Sequence, residues 1–149
     1  MKSYAWLPLV AVLLSAVLMA LIWAPVEQAS CVWVALVPLL LVTRRVMPRQ
    51  AWWYGWVMGF TTWLIQLSWM LSLSNNGGPW ILIVPAWLAL CAVLALFIGL
   101  FSVWSAVLWQ RFGSSPIGRL ALVVLLDPVG WAAMECLRSN VFSGFSWNP

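Results

Sequence analysis

Histidine is absent from this 149-residue chain, and lysine occurs once, at Lys2. The absence of histidine excludes ordinary Cys/His zinc sites and any nucleophile that a histidine of this chain would activate. The three cysteines, Cys31, Cys91 and Cys136, lie far apart and form no C-x-x-C pair. The sequence therefore indicates neither a metal-binding cluster nor a disulfide framework, and we expect no metal and no cofactor.

Charged side chains are scarce as well. They make up 7% of the residues and hydrophobic ones 65%, whereas soluble domains have about 25% and 45–50%. The cations lie in short groups between apolar runs, which argues against nucleic acid as a partner. Residues 50–110, 61 in all, carry no charge. Because about 20 apolar helical residues cross a bilayer, this run predicts at least two crossings, joined at the polar turn of residues 74–79.

The apolar runs predict an all-α fold, a polytopic membrane bundle of about five transmembrane helices. We place these helices near residues 4–24, 30–42, 51–73, 80–109 and 120–137. The second is short for a full crossing, so it either thins the bilayer or inserts only in part. The first is long for the core of a signal peptide, and we expect it to be retained.

The positions of the cations predict an orientation for this bundle. With the N-terminus in the cytoplasm, six of the seven cations fall on the cytoplasmic side, as the positive-inside tendency requires. They are Lys2, Arg44, Arg45, Arg49, Arg111 and Arg119. The C-terminus is then periplasmic. Many of the 14 tryptophans lie near segment ends, where they form an aromatic belt or contact lipid or sugar.

Two glycines in the third segment, Gly55 and Gly59, have the G-x-x-x-G spacing that allows close approach of membrane helices. They serve either packing inside the bundle or dimerisation.

Acidic residues in the last apolar segment are the polar exceptions. Asp127 precedes Pro128 and is either a helix-capping acid near Arg119 or part of a proton relay. Glu135 and Arg138 share one helical face at i, i+3. They form either a salt bridge that anchors the helix end or a functional site, since charge within a membrane by default indicates function.

The C-terminal residues resemble the apolipoprotein N-acyltransferases of the bacterial inner membrane. The matching residues are Pro128, Trp131, Glu135, Arg138, Ser143, Gly144, Phe145, Trp147 and Asn148. The resemblance is specific from Glu135 to Asn148 and moderately specific elsewhere. Residues 33–40, 55–60 and 77–79, with Trp69, match earlier parts of the family in order. Cys136, Ser146 and Asp127 depart from its usual tryptophan, proline and apolar residue.

The resemblance implies an enzyme that moves an acyl chain from phospholipid to a cysteine, and then to the N-terminal diacylglyceryl-cysteine of a lipoprotein. It implies an inner-membrane location, with phospholipid and lipoprotein as partners. The family's Glu-Lys-Cys triad lies in a periplasmic nitrilase-like domain that these 149 residues do not match, so no catalytic residue is assigned, and a separately encoded catalytic domain becomes a further partner. The enzyme assignment of this chain alone stays open.

We therefore expect a helical bundle over residues 1–138 and an interfacial periplasmic segment over 139–149 that looks truncated. Candidate lipid or interface contacts are Glu135, Arg138, Trp147 and Asn148. The alternative is a non-catalytic membrane scaffold or lipid-binding protein. A small transporter is disfavoured because no repeated half is evident.

Overall fold

The structure, a computed structural model, describes residues 6–23 and 26–141, and this part of the chain is helical with no strand. Six α-helices follow in order: α1 Leu7–Leu21, α2 Val37–Thr43, α3 Pro48–Gln66, α4 Trp80–Phe112, α5 Pro116–Ala121 and α6 Asp127–Val141. Two 3₁₀ segments, Ala29–Trp33 and Ser68–Asn76, precede α2 and α4. A π turn, Leu122–Leu126, joins α5 to α6 without a break.

Two of the described helical stretches are long and apolar enough to cross a membrane. They are α4, with 33 residues, and the continuous stretch Pro116–Val141, with 26 residues. Only 22% and 17% of their apolar windows are buried within the protein, whereas a core helix of a soluble protein would be mostly buried. Apolar surface on this scale marks contact with lipid or with a partner. The helix α1 and residues 29–43 are apolar but shorter.

Helices α3 and α4 make the most extensive contact among the described helices, and the two glycines of the G-x-x-x-G motif lie in this interface. A Cβ on Gly55 would lie 2.6 Å from Ser102 Cβ and 2.7 Å from Ile98 O. A Cβ on Gly59 would lie 3.0 Å from Ala95 Cα. The α4 side is built from small residues as well, so the two backbones approach closely. The glycines therefore serve packing inside the bundle.

Helices α1 to α4 share one apolar core, whose buried members are Val12, Ala16, Leu39, Val42, Met58 and Ile98. Ser15 of α1 supports the start of α2, because its hydroxyl accepts a 2.9 Å hydrogen bond from the amide of Leu39. That amide belongs to the first turn of α2, where main-chain donors lack a partner within the helix.

The structure divides the segment expected as one helix near 30–42. Residues 29–33 form a 3₁₀ turn, and α2 begins only at Val37. Pro38 explains the break, because proline has no N–H to donate to the carbonyl of Val34 and its ring crowds that carbonyl. Proline is tolerated in the first turn of α2, where no donor is needed.

The third segment also differs from the expected 51–73. Helix α3 begins at Pro48, a favoured first position, and ends at Gln66, after which a 3₁₀ segment continues to Asn76. Ser72 donates to the carbonyl of Trp69, and Ser74 donates to that of Leu71. Such local side-chain bonds compete with the regular helix. Gly77 then turns the chain at φ +88°, a left-handed value that favours glycine.

The last segment is longer than the expected 120–137 and contains a π turn. Ser115 caps its start by accepting a 2.9 Å hydrogen bond from Gly118 N. Pro128 cannot donate to the carbonyl of Val124, and its ring pushes that carbonyl away. The wider π turn of Leu122–Leu126 lies directly before this proline, as expected where a helix accommodates such a defect.

Candidate functional site

A cavity of about 420 Å³ opens at the end of the bundle where α3 finishes. We call it the Arg138 cavity. Its walls come from α1, the segment before α2, α3, α4 and α6, and they consist of Met19, Ile22, Trp23, Val32, Leu36, Thr62, Trp63, Gln66, Ile98, Trp131, Glu135 and Arg138. A mainly apolar cavity with a few polar groups is the usual form of a site for small organic ligands, and its volume lies in the range of about 300–1,000 Å³ found for them.

Arg138 and Glu135 form the charged rim of this cavity. They stand one turn apart on α6, and the guanidinium donates to a carboxylate oxygen of Glu135. The Arg138 side chain is 9% exposed and that of Glu135 is 42% exposed. The pair therefore places a cation at the inner side of the rim and its carboxylate toward the outside.

The ring of Trp63 packs against the guanidinium of Arg138. The guanidinium carbon lies 5.2 Å from the centre of the Trp63 ring, within the range of cation–π attraction. Trp131 lines another part of the wall and meets Phe101 of α4 edge to face at 5.2 Å. These contacts fix the orientation of the charged rim relative to the apolar floor of the cavity.

The other polar groups of the wall include the Thr62 hydroxyl, the Gln66 amide and the Trp63 indole N–H, and within the described residues the buried Trp63 N–H has no hydrogen-bond partner. The Thr62 hydroxyl donates to Met58 O at 2.9 Å and approaches Ala16 O at 3.4 Å, which leaves mainly methyl surface toward the cavity. The walls are thus mainly apolar with a few polar groups, and the charged pair lies at the rim.

Of the four residues predicted as lipid or interface contacts, the structure brings two together at the Arg138 cavity, Glu135 and Arg138. The i, i+3 spacing was sufficient to predict their salt bridge. The other two, Trp147 and Asn148, lie outside the described residues. Of the interfacial segment predicted over 139–149, residues 139–141 belong to α6 and residues 142–149 lie outside the described residues.

A second charged pair lies at the other end of the bundle and was not predicted. Arg44, just after α2, lies 3.7 Å from the carboxylate of Asp127, and Ser105 of α4 also contacts that carboxylate. The guanidinium of Arg44 stands 4.5 Å from the centre of the Trp109 ring. Asp127 is almost fully buried. It ties α6 to α2 and α4.

This geometry differs from the expected capping role of Asp127 near Arg119. Asp127 has helical backbone angles inside the continuous stretch that begins at Pro116, so it caps no helix start. Arg119 instead donates to Gly113 O at 2.8 Å. No local spacing could have revealed the pair, because Arg44 and Asp127 are 83 positions apart and only the packing of the helices joins them.

The three thiols do not gather at either charged pair. Cys31 is half-buried in the first 3₁₀ segment, Cys91 is buried within α4 and Cys136 is exposed on α6. Within residues 6–23 and 26–141, no three potential metal ligands of the Cys, Asp or Glu type lie together. Within the described residues the chemistry is therefore that of a mainly apolar cavity with a charged rim, without a clustered nucleophile.

Comparison with known proteins adds a family to this geometry. Residues 15–149 match a sequence model of the apolipoprotein N-acyltransferase N-terminal domain. An apolipoprotein N-acyltransferase of Pasteurella multocida is 28% identical over 134 residues, 89% of this chain and 24% of the relative. Relatives with the same description from Coxiella burnetii and Azotobacter vinelandii are 30% and 31% identical over 91% and 87% of this chain. The chain spans about a quarter of the length of these curated relatives.

Proposed function

The chain belongs to the apolipoprotein N-acyltransferase family, and we propose that it forms the membrane-embedded N-terminal portion of such an enzyme in the bacterial inner membrane. The reaction it serves moves an acyl chain from phospholipid to the N-terminal diacylglyceryl-cysteine of a lipoprotein. The observation that carries this proposal is the Arg138 cavity, which lies within the family match and combines a mainly apolar interior with a charged rim.

The proposed chemistry consists of two acyl-transfer steps, and both are carried out by groups outside residues 1–149. A base removes the proton of a cysteine thiol, the thiolate attacks the phospholipid ester, and a thioester forms as the ester C–O bond breaks. The same proton is returned to the oxygen of the leaving lysophospholipid. The α-amino group of the lipoprotein then attacks the thioester, an amide forms, and the thiol is released. Residues 1–149 contribute by holding amphipathic substrates against that nucleophile, which accelerates the reaction by proximity.

The placement in the membrane follows from the charges. Arg44, Arg45, Arg49, Arg111 and Arg119 gather at one end of the described bundle, where α2 and α4 finish and α3 begins. By the positive-inside tendency this end faces the cytoplasm. The Arg138 cavity lies at the opposite end of α3, so it opens toward the periplasmic leaflet, where lipoprotein maturation presents its substrates. This supports a multi-pass layout of about five crossings, with the N-terminus inside and the interfacial segment 139–149 outside.

We assign the rim of the Arg138 cavity to the phospholipid headgroup and its interior to an acyl chain. Arg138 keeps its ion pair with Glu135, yet a guanidinium presents five donors and can hold a phosphate as well as a carboxylate. Trp147 and Asn148 stay candidate headgroup contacts, and both lie outside the described residues.

A chimera tests the proposal. Residues 1–149 replace the matching N-terminal quarter of the Azotobacter vinelandii relative, and the purified protein is given a labelled phospholipid and a diacylglyceryl-cysteine peptide. We expect acyl transfer from the chimera and none from the 149-residue chain alone. Acyl transfer by the 149-residue chain alone would refute the proposal that the catalytic groups lie outside residues 1–149.

Two variants of the chimera test the role of the rim. Arg138→Ala is expected to raise the KM for phospholipid at least tenfold, because a charge-assisted hydrogen bond contributes about 1.5–3 kcal/mol. Arg138→Lys keeps the positive charge but loses the planar arrangement of guanidinium donors. Arg111→Ala, at the other end, is the matched control. A folded chimera that binds lipid but never transfers acyl groups would favour the non-catalytic scaffold instead. An unchanged KM in Arg138→Ala would remove Arg138 from the headgroup site.

A further inference from the structure

One face of α3 carries a cation followed by aromatic rings. Arg49, Trp53, Trp56 and Phe60 stand at i, i+4, i+7 and i+11, which places them on one stripe of the helix. Trp53 meets Trp56 edge to face at 6.2 Å, and Trp56 stacks on Phe60 at 5.0 Å with the rings 8° apart. Trp56 is further fixed by its indole N–H, which donates to Ala92 O of α4 at 3.2 Å. We call this stripe the α3 aromatic face.

A shallow groove lies at the cationic end of the α3 aromatic face. It has a volume of about 410 Å³ and is lined by Pro48, Arg49, Trp52, Trp53 and Val103. Trp52 and Trp53 meet edge to face at 4.6 Å and form one wall, while Val103 of α4 forms the other. Trp53 is 56% exposed and Arg49 is exposed too. The groove is therefore open to whatever surrounds the bundle.

The charge at this end of the bundle favours an anionic occupant. Asp127 is already paired with Arg44, and Arg119 donates to a main-chain carbonyl. The other described acids, Glu27 and Glu135, belong to the opposite end. In residues 6–23 and 26–141, Arg49 has no carboxylate within ion-pair distance. An exposed cation beside an apolar groove at a membrane interface complements a lipid that has a negative headgroup.

We propose that the groove and the α3 aromatic face bind one anionic phospholipid of the cytoplasmic leaflet. Its headgroup phosphate contacts Arg49, and an acyl chain lies along Trp53, Trp56 and Phe60. The 11 residues from Arg49 to Phe60 rise about 16 Å, which matches half of a hydrocarbon core of about 30 Å. An acyl chain in one leaflet is therefore long enough to run along the whole stripe. The proposal rests on the membrane placement and does not depend on acyl transfer.

Native mass spectrometry of the delipidated 149-residue chain in detergent tests this site. Phosphatidylglycerol and phosphatidylcholine with identical acyl chains are titrated separately, and the bound fraction is measured. We expect phosphatidylglycerol to bind about fivefold more tightly, since one arginine near a membrane surface contributes about 1 kcal/mol toward anionic lipid. Arg49→Gln is expected to abolish this preference, and the matched control Arg111→Gln, an exposed arginine at the same end on α4, is expected to retain it.

Trp53→Ala separates the acyl-chain contact from the headgroup contact. The side chain is exposed, so its removal leaves the core intact. We expect it to weaken both lipids by a similar factor, at least twofold, with the preference for phosphatidylglycerol unchanged. Equal loss of preference in Arg49→Gln and Arg111→Gln would overturn the proposal, because the cationic end would then act as a diffuse charge.

Two further outcomes would also refute it. Displacement of phosphatidylglycerol by an equal concentration of glycerol 3-phosphate would identify a site for free phosphate rather than for lipid. A dimer that disappears in both Arg49→Gln and Trp53→Ala would identify a second copy of the chain as the occupant of the groove.

Discussion

Replacing Gly55 with alanine is expected to separate α3 from α4 and so destabilise the bundle. The added Cβ would lie 2.6 Å from Ser102 Cβ and 2.7 Å from the main-chain oxygen of Ile98. A main-chain oxygen cannot move aside without moving α4, so the helices have to shift. Overpacking of this kind costs about 1–3 kcal/mol, and we take the upper part of that range here. The better helix propensity of alanine returns about 1 kcal/mol. The expected net loss is about 2 kcal/mol in the free energy of unfolding.

The interface supplies its own control at Gly99. An alanine Cβ there would lie 3.1 Å from Nε1 and 3.3 Å from Cδ1 of the Trp52 ring. A side-chain ring can yield by a few tenths of an ångström, so the gain in helix propensity should offset the contact. We expect Gly99→Ala to change the free energy of unfolding by less than about 0.5 kcal/mol.

The assay is reversible unfolding of the 149-residue chain in mixed micelles of mild detergent and dodecyl sulfate, followed by helical circular dichroism. Cross-linking on the same samples reports the oligomeric state. Two results would refute the reasoning: equal stability of Gly55→Ala and Gly99→Ala, or loss of a dimer in Gly55→Ala without loss of monomer stability. The second would show that the G-x-x-x-G motif joins two copies. Adding Ser102→Gly to Gly55→Ala should recover part of the loss, since it removes the Ser102 clash but leaves the Ile98 oxygen in place.

Two further predictions concern the buried ion pair and the orientation of the bundle. Asp127→Asn should lower the free energy of unfolding by about 3 kcal/mol because it leaves Arg44 charged without its partner. In the same assay, the double variant Arg44→Met, Asp127→Leu should have a free energy of unfolding closer to that of wild type. Additive losses would contradict the pairing. A membrane-impermeant maleimide applied outside spheroplasts should label the exposed Cys136 and not the buried Cys91. The thiol introduced by Arg45→Cys, followed by peptide mapping, should be labelled only after the membranes are opened; the opposite pattern would invert the topology.

Helical structure and the local pairings could be predicted from sequence because they depend on residues a few positions apart. A 61-residue uncharged run leaves little but membrane helices, and the i, i+3 spacing on one helix predicts the bond from Arg138 to Glu135. The division of the second segment at Pro38 was also accessible, since proline cannot continue a helix through the residue four positions earlier. The apolar character of residues 30–42 concealed that break.

Contacts between distant segments were beyond prediction from one sequence. The ion pair of Arg44 with Asp127 and the 2.9 Å bond from Leu39 N to Ser15 depend on which helices lie side by side. Apolar helices of similar composition can pack side by side in many different arrangements. The spacing in the sequence therefore left the role of Asp127 open and pointed to Arg119 rather than Arg44.

Helix α6, which follows the π turn, connects the two charged ends of the bundle. Asp127 and Arg138 are 11 residues apart on α6, which brings them onto one stripe of the helix about 16 Å long, and both are buried. Upstream of the turn, the apolar side chains of Ile117 and Leu120 are exposed. The extra residue of a π turn changes the rotational phase of a helix. One continuous segment thus exposes apolar side chains at its start, pairs with Arg44 through Asp127, and presents Arg138 to the cavity.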